Sequence, residues 1–216
     1  MGIFHALQLV LEKGGPAAWF IILSGIFLIV LSFERLQFLY IRFSFRANEA
    51  LERARQSVLK RDYTTAIQIC NSAIQAPEMK VVKSGLLAVE SGREAMKSAL
   101  GGAVLEVSRQ CEKRVSLIAL IAAVSTLLGL LGTISGLIKT FEAIATADAS
   151  QKGVILGTGI SEAMYATATG LIVGVAAMVV HTLCTSKTDD IVGKSQGAGY
   201  QLITWIEESE RSQVNG

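Results

Sequence analysis

The sequence predicts an all-α integral membrane protein with three transmembrane helices and long cytoplasmic helical extensions, and three observations predict it. Hydrophobic residues make up 51% of the 216 residues and mean hydropathy is +0.47, more apolar content than one soluble core of this size uses. Three long uncharged runs, each able to cross a bilayer, interrupt an otherwise charged sequence. Strand-like alternation is absent, and only helices or closed barrels satisfy every backbone group in lipid, so helices are the economical solution.

In chain order, residues 1–15 are expected to form an amino terminus outside the membrane. They lack a basic leader, and charge rather than a small-residue cleavage site follows the first apolar stretch, so the first helix is expected to stay in the mature protein. No charge occurs from Gly14 to Phe33, which predicts transmembrane helix 1 over 16–38. Residues 39–114 read as a cytoplasmic helical domain. A polar helix near Phe43 to Lys60 places Leu51, Ala54, Val58 and Leu59 at helical spacing. Asp62 is positioned to cap the next helix, whose apolar face is Ala66, Ile67, Ile69, Cys70 and Ala73, and Pro77 ends or restarts it. From Glu78 to Arg114 the pattern suggests one long helix running straight into the second span, although Gly85, Gly92, Gly101 and Gly102 weaken its continuity. The uncharged runs Val115 to Ile138 and Ala163 to Ser186 predict transmembrane helices over 115–138 and 161–186. A short loop, 139–160, joins them, and a helix or tail, 187–216, follows.

Orientation follows from the basic residues. Fourteen of the 20 lie between Glu34 and Arg114, whereas the loop between the second and third runs holds only Lys139 and Lys152. Basic residues near membrane ends are retained in the cytoplasm, so the long segment and the carboxyl terminus are inside and the amino terminus is outside.

Several function classes drop out. A net charge of +2 gives no global attraction to nucleic acid. Cys70, Cys111 and Cys184 are too few and scattered for a disulfide framework, and His5 and His181 have no second metal ligand at helical spacing. No nucleophile with a base and an orienting group, no phosphate loop and no paired carboxylates can be assembled, so enzymatic activity is not expected and no cofactor is called for.

The chemistry that remains lies in the second and third runs. Ser125, Gly129, Gly132 and Gly136 fall at i, i+4, i+7 and i+11 on one helix face, and Ala163, Thr167, Gly170 and Gly174 repeat the spacing. Such stripes let membrane helices approach closely, within one chain or between subunits. Thr133, Ser135, Ser161, Thr167 and Thr169 add hydroxyls that either bond their own helix or line a hydrated path. Glu162 stands at the lip of an apolar helix, where an acid either faces water at the helix start or sits in a polar pathway.

The segments Thr126-Leu127-Leu128-Gly129-Leu130-Leu131-Gly132-Thr133-Ile134-Ser135-Gly136-Leu137-Ile138, then Phe141, Gly159-Ile160-Ser161-Glu162-Ala163-Met164 and Ala166-Thr167-Ala168-Thr169-Gly170-Leu171 resemble the MotA/TolQ/ExbB proton channel family, most closely its ExbB and TolQ branch. Gly14-Gly15-Pro16, Glu34-Arg35 and Asp62-Tyr63 with Ala66 are similar to that branch too. The resemblance implies an inner-membrane stator: an oligomeric ring, five copies, around an ExbD- or TolR-like dimer of single-helix partners whose aspartate carries the coupling protons. By motif position Thr133 and Thr167 match the family's pore-facing polar residues, Glu162 its intramembrane glutamate, and Thr169 extends the same pathway. The small-residue faces are then expected to look onto the companion helix. Thr126 and Ala176 stand where the family usually has proline, so any helix kink must arise elsewhere. The competing expectation is a non-conducting membrane scaffold.

Overall fold

The computed structural model of the protein describes residues 15–42 and 47–214. The segment before Gly15, with His5, and residues 43–46 at the start of the expected polar helix lie outside them. All the regular elements among the described residues are helical: α1 (Gly15–Gln37) with a π-helical turn (Phe38–Arg42), α2 (Asn48–Leu59), α3 (Tyr63–Ser72), α4 (Pro77–Leu87), a 3₁₀ turn (Val89–Ser91), α5 (Arg93–Glu112), α6 (Val115–Thr146) and α7 (Lys152–Val214). The chain divides into two compact units, 1–34 with 114–183 and 35–113 with 184–216, and α7 contributes to both.

The first unit consists of α1, α6 and the first half of α7. Among the described residues, three helices are long and apolar enough to cross a membrane. Trp19, Phe20, Leu23, Ile29 and Phe33 on α1, Leu127, Leu130 and Ile134 on α6, and Ile172 and Val175 on α7 are all at least half exposed. An apolar surface of that extent is untenable in water and ordinary in lipid. α1 docks on the other two through small groups: the Ser24 and Ser125 hydroxyls are 2.9 Å apart, and a Cβ added at Gly25 would lie 3.5 Å from Val173. Glu34, at the end of the first uncharged run, pairs with Arg114 at the start of the second.

Two expectations are corrected here. Residues 139–160 are mostly helix rather than loop: α6 continues to Thr146, α7 starts at Lys152, and only 147–151 intervene. Lys139 and Glu142 end the uncharged run, but neither breaks a helix, and the Ala-rich stretch after Phe141 favours one. The helix expected from Glu78 into the second span is broken twice. At Gly92 the backbone has φ +96°, which glycine adopts without strain, and at Arg114 φ is +64°, a left-handed conformation at a non-glycine residue.

The second unit packs α2 to α5 with the carboxyl-terminal half of α7 around Val58, Cys70, Met79, Val81, Val82, Cys111 and Leu202, all fully buried. Asp62 caps α3 as expected, its carboxylate accepting from the Thr65 amide at 3.0 Å. Pro77 opens α4, where a missing amide proton costs nothing. Gly85 lets Leu202 and Leu100 pack onto α4, since a Cβ there would lie 2.6 Å and 2.7 Å from their terminal methyls and those side chains would have to shift.

Candidate functional site

The site is built on the α6–α7 hairpin, whose short connection makes the two helices antiparallel neighbours. Small residues then meet in register. A Cβ at Gly174 would lie 2.5 Å from the Thr126 hydroxyl and 3.1 Å from the Ala122 carbonyl; at Gly170, 2.6 Å from the Ser125 carbonyl and 2.8 Å from the Gly129 Cα; at Gly136, 3.0 Å from the Ala163 Cβ. The seam ends where Thr140, buried and donating to the Gly136 carbonyl at 2.8 Å, fills the space beside Gly159. From Gly174 to Gly159 it runs about 22 Å at 1.5 Å per residue, most of a hydrocarbon core. The two stripes therefore face each other, which corrects the expectation that the glycine faces look onto a companion helix. Helical spacing says which residues share a face and nothing about what that face meets.

Midway along the seam lies a hydroxyl pair. Thr133 and Thr167 hydrogen-bond to each other across the helices, and both reach the Gly129 carbonyl, at 3.2 and 3.0 Å. Both side chains are half-buried. A hydroxyl donates and accepts, so the pair has two equivalent orders: either threonine donates to its mate while the mate donates to Gly129. Gly129 is what permits this. A Cβ there would lie 3.2 Å from the Cα atoms of both Gly170 and Thr167.

Glu162 and Thr169 are not part of that pair. They lie on α7 to one side of the seam, roughly 100–120° around the helix from Ala163 and roughly 40–60° from Ala166. Glu162 is exposed, and Thr169 is half-buried with its hydroxyl donating to the Tyr165 carbonyl at 2.8 Å. The four polar positions expected to line one path thus divide into two faces. Thr126, where the family usually has proline, donates its hydroxyl to the Ala122 carbonyl at 3.0 Å. That carbonyl is the one a proline at 126 would deprive of its amide partner, and α6 passes through the position without a break. Spacing alone pointed to neither Ser24 nor Thr140. A single serine in the first apolar run and a threonine one turn beyond Gly136 were the available signals.

Three apolar helices, two of them zipped through small residues and carrying hydroxyls and one carboxylate within their apolar length, define a polytopic helical membrane protein with its polar chemistry concentrated in the second and third spans. The chain belongs to the MotA/TolQ/ExbB proton channel family, whose model matches residues 73–196. It is 32% identical over 123 residues to biopolymer transport protein exbB1 of Vibrio cholerae, covering 56% of this chain and 54% of that protein. It is 25% identical over 101 residues to the Tol-Pal system protein TolQ of Pseudomonas aeruginosa, covering 47% and 43%. The chain thus matches about half the length of these curated relatives. The solved structure of C. jejuni MotAB shares the fold, with a TM-score of 0.63 over 95% of this chain and 80% of that one at 15% identity.

Proposed function

We propose that this chain is the channel-forming subunit of a proton-driven stator in a bacterial inner membrane, with its amino terminus periplasmic and its carboxyl terminus cytoplasmic. Copies form a ring, five in number, around an ExbD- or TolR-like dimer of single-helix partners. Proton flow down the gradient moves the partner against the ring and does work on envelope components, in biopolymer transport, envelope maintenance or gliding motility. Family membership supports the proton channel class, and the observation that carries the reading is Glu162. It is an exposed carboxylate on an apolar helix, with no hydrogen bond or ion pair among the described residues. A carboxylate in that setting is expensive in lipid and natural beside a hydrated path or a protein partner. The Thr133–Thr167 pair, able to reverse its hydrogen-bond direction, suits a route along which protons pass.

A second reading, a non-conducting scaffold, is favoured by one observation: the threonine hydroxyls and both small-residue stripes are satisfied within the chain. Reconstituting the chain with its single-helix partner in proteoliposomes separates the two. Glu162→Gln and Thr167→Val are expected to abolish gradient-driven proton uptake while the complex still copurifies. Full uptake in both variants removes Glu162 and Thr167 from the path, and a lack of gradient-driven uptake by the wild-type complex removes the channel reading and leaves the scaffold.

A further inference from the structure

α7 is one unbroken helix from Lys152 to Val214, so its faces can be followed by spacing alone. Thr158, Glu162, Tyr165 and Thr169 fall at i, i+4, i+7 and i+11, within an arc of roughly 60°. That arc is distinct from the seam, whose residues Gly159, Ala163, Ala166 and Gly170 meet α6, and from the exposed apolar face of Met164, Leu171 and Val175. α7 therefore carries a separate polar stripe of two hydroxyls, a carboxyl and a phenol.

Within this stripe the donors are unequally free. Thr158 donates to the Val154 and Ile155 carbonyls at 2.9 and 3.1 Å, and Thr169 to the Tyr165 carbonyl at 2.8 Å, so both threonine protons are committed to their own helix. Neither the Tyr165 hydroxyl nor the Glu162 carboxylate has a hydrogen bond among the described residues. On α6, Leu137 lies at the level of Glu162, since Gly136 meets Ala163 and Thr140 meets Gly159; Lys139 is within a turn of that level and Glu142 more than a turn away, and both are exposed and neither pairs with it. Residues three apart on a helix are surface neighbours, and a helical side chain leans toward the amino-terminal end, which directs the Tyr165 ring back over the turn that holds Glu162. An apolar surrounding penalises an unbonded carboxylate and an unbonded phenol alike.

We infer that the Tyr165 hydroxyl donates a hydrogen bond to the Glu162 carboxylate in the membrane, making Tyr165 a positioning residue that holds the carboxylate along this stripe. The inference rests on the reading of Glu162 as the proton-pathway acid and adds the group through which the chain itself controls that acid. A phenol is a donor that removes the need for a lysine or arginine, whose full charge would cancel the carboxylate.

The test uses the intact ring with its partner, reconstituted in lipid. Infrared difference spectra identify the Glu162 carboxyl band as the one lost in Glu162→Gln. Tyr165→Phe, which removes one oxygen and keeps the ring, is expected to shift that band; an unchanged band overturns the inference. Gradient-driven proton uptake is expected to fall roughly tenfold or more in Tyr165→Phe, the scale of one hydrogen bond to a charged group. Tyr165→Leu is expected to fall at least as far, and uptake at the wild-type level in Tyr165→Phe also overturns the inference. If Glu162→Gln itself conducts normally, the reading of Glu162 as the proton-pathway acid fails and the carboxyl band alone decides whether the Tyr165 contact exists.

Discussion

Replacing Gly170 by alanine tests the seam where backbone meets backbone most closely. The new Cβ would sit 2.6 Å from the Ser125 carbonyl oxygen and 2.8 Å from the Gly129 Cα, against about 3.5 Å for ordinary contact, so the helices must separate by most of an ångström locally. Both obstacles are backbone atoms, and no rotamer change relieves them. Overpacking of this kind costs about 1–3 kcal/mol, and the gain in helix propensity from glycine to alanine returns at most about 1 kcal/mol. Gly170→Ala should therefore lose roughly 1–2 kcal/mol net, by the same terms. Gly101, a helical glycine in α5 with nothing within 4 Å of an added Cβ, provides the opposite control. Gly101→Ala should be neutral or stabilising by up to about 1 kcal/mol. Thermal or denaturant unfolding of the purified protein in one detergent compares the two variants. If Gly170→Ala proves as stable as Gly101→Ala, α6 and α7 do not pack as described and the register of the hydroxyl pair falls with them.

The hydroxyl pair predicts a coupled double-mutant cycle. Thr133→Val and Thr167→Val should each destabilise by about 0.5–1.5 kcal/mol, and the double variant by clearly less than their sum, because the second change removes a bond already lost; additive losses would mean the hydroxyls do not meet. Asp62 has its carboxyl held below the ordinary value by the hydrogen bonds from Thr65. A depressed folded-state value stabilises above the unfolded-state pKa and is lost as pH falls through the folded one, so the contribution is full at neutral pH and disappears at acid pH below the normal carboxylate range. Asp62→Ala should lower stability at pH 7 and flatten that acid limb in a pH series of unfolding curves; an unaltered limb would refute the cap. Burial pushes the Cys70 and Cys111 thiols each up to about 11, so neither is a ready thiolate at neutral pH. Both should react with maleimide far more slowly in the folded protein than after unfolding, and equal rates would contradict the packing of the second unit.

The membrane architecture was legible because lipid leaves a sequence few choices. An uncharged run of bilayer length has one secondary structure available, and the three runs correspond to the three helices among the described residues that are long and apolar enough to cross. The capping of α3 was legible for a local reason, since an aspartate before a helix has an orphan amide within reach. Charge, by contrast, is a poor marker of helix ends. Lys139 and Glu142 stop an apolar run, but a charged residue is a good helix former, so α6 carried on to Thr146. The break at Arg114 could not be foreseen from residue type at all, because a left-handed φ at arginine follows from its surroundings rather than from preference.

In the candidate site the residue types are legible in the sequence and their arrangement around the helices is not. Each polar residue was identified, yet Thr133, Glu162, Thr167 and Thr169 were expected together on one path, and the structure puts the first and third in the α6–α7 seam and the other two on a separate face of α7. Periodicity fixes the angle between residues on one helix. Thr167 and Glu162 are five residues apart, roughly 140° around α7, so no single neighbour can meet both squarely. A partner that engages Glu162 therefore approaches α7 from a different side than α6 does, and Thr167 is already occupied by α6. If protons pass both groups, they must cross from one face of α7 to the other, and the backbone carbonyls that the threonines hold, Gly129 at the seam and Tyr165 on the stripe, accept hydrogen bonds but have no proton to pass on. This constrains a conducting state more tightly than the residue list does, because it requires either water between the two faces or a rotation of α7 that breaks the Thr133–Thr167 bond.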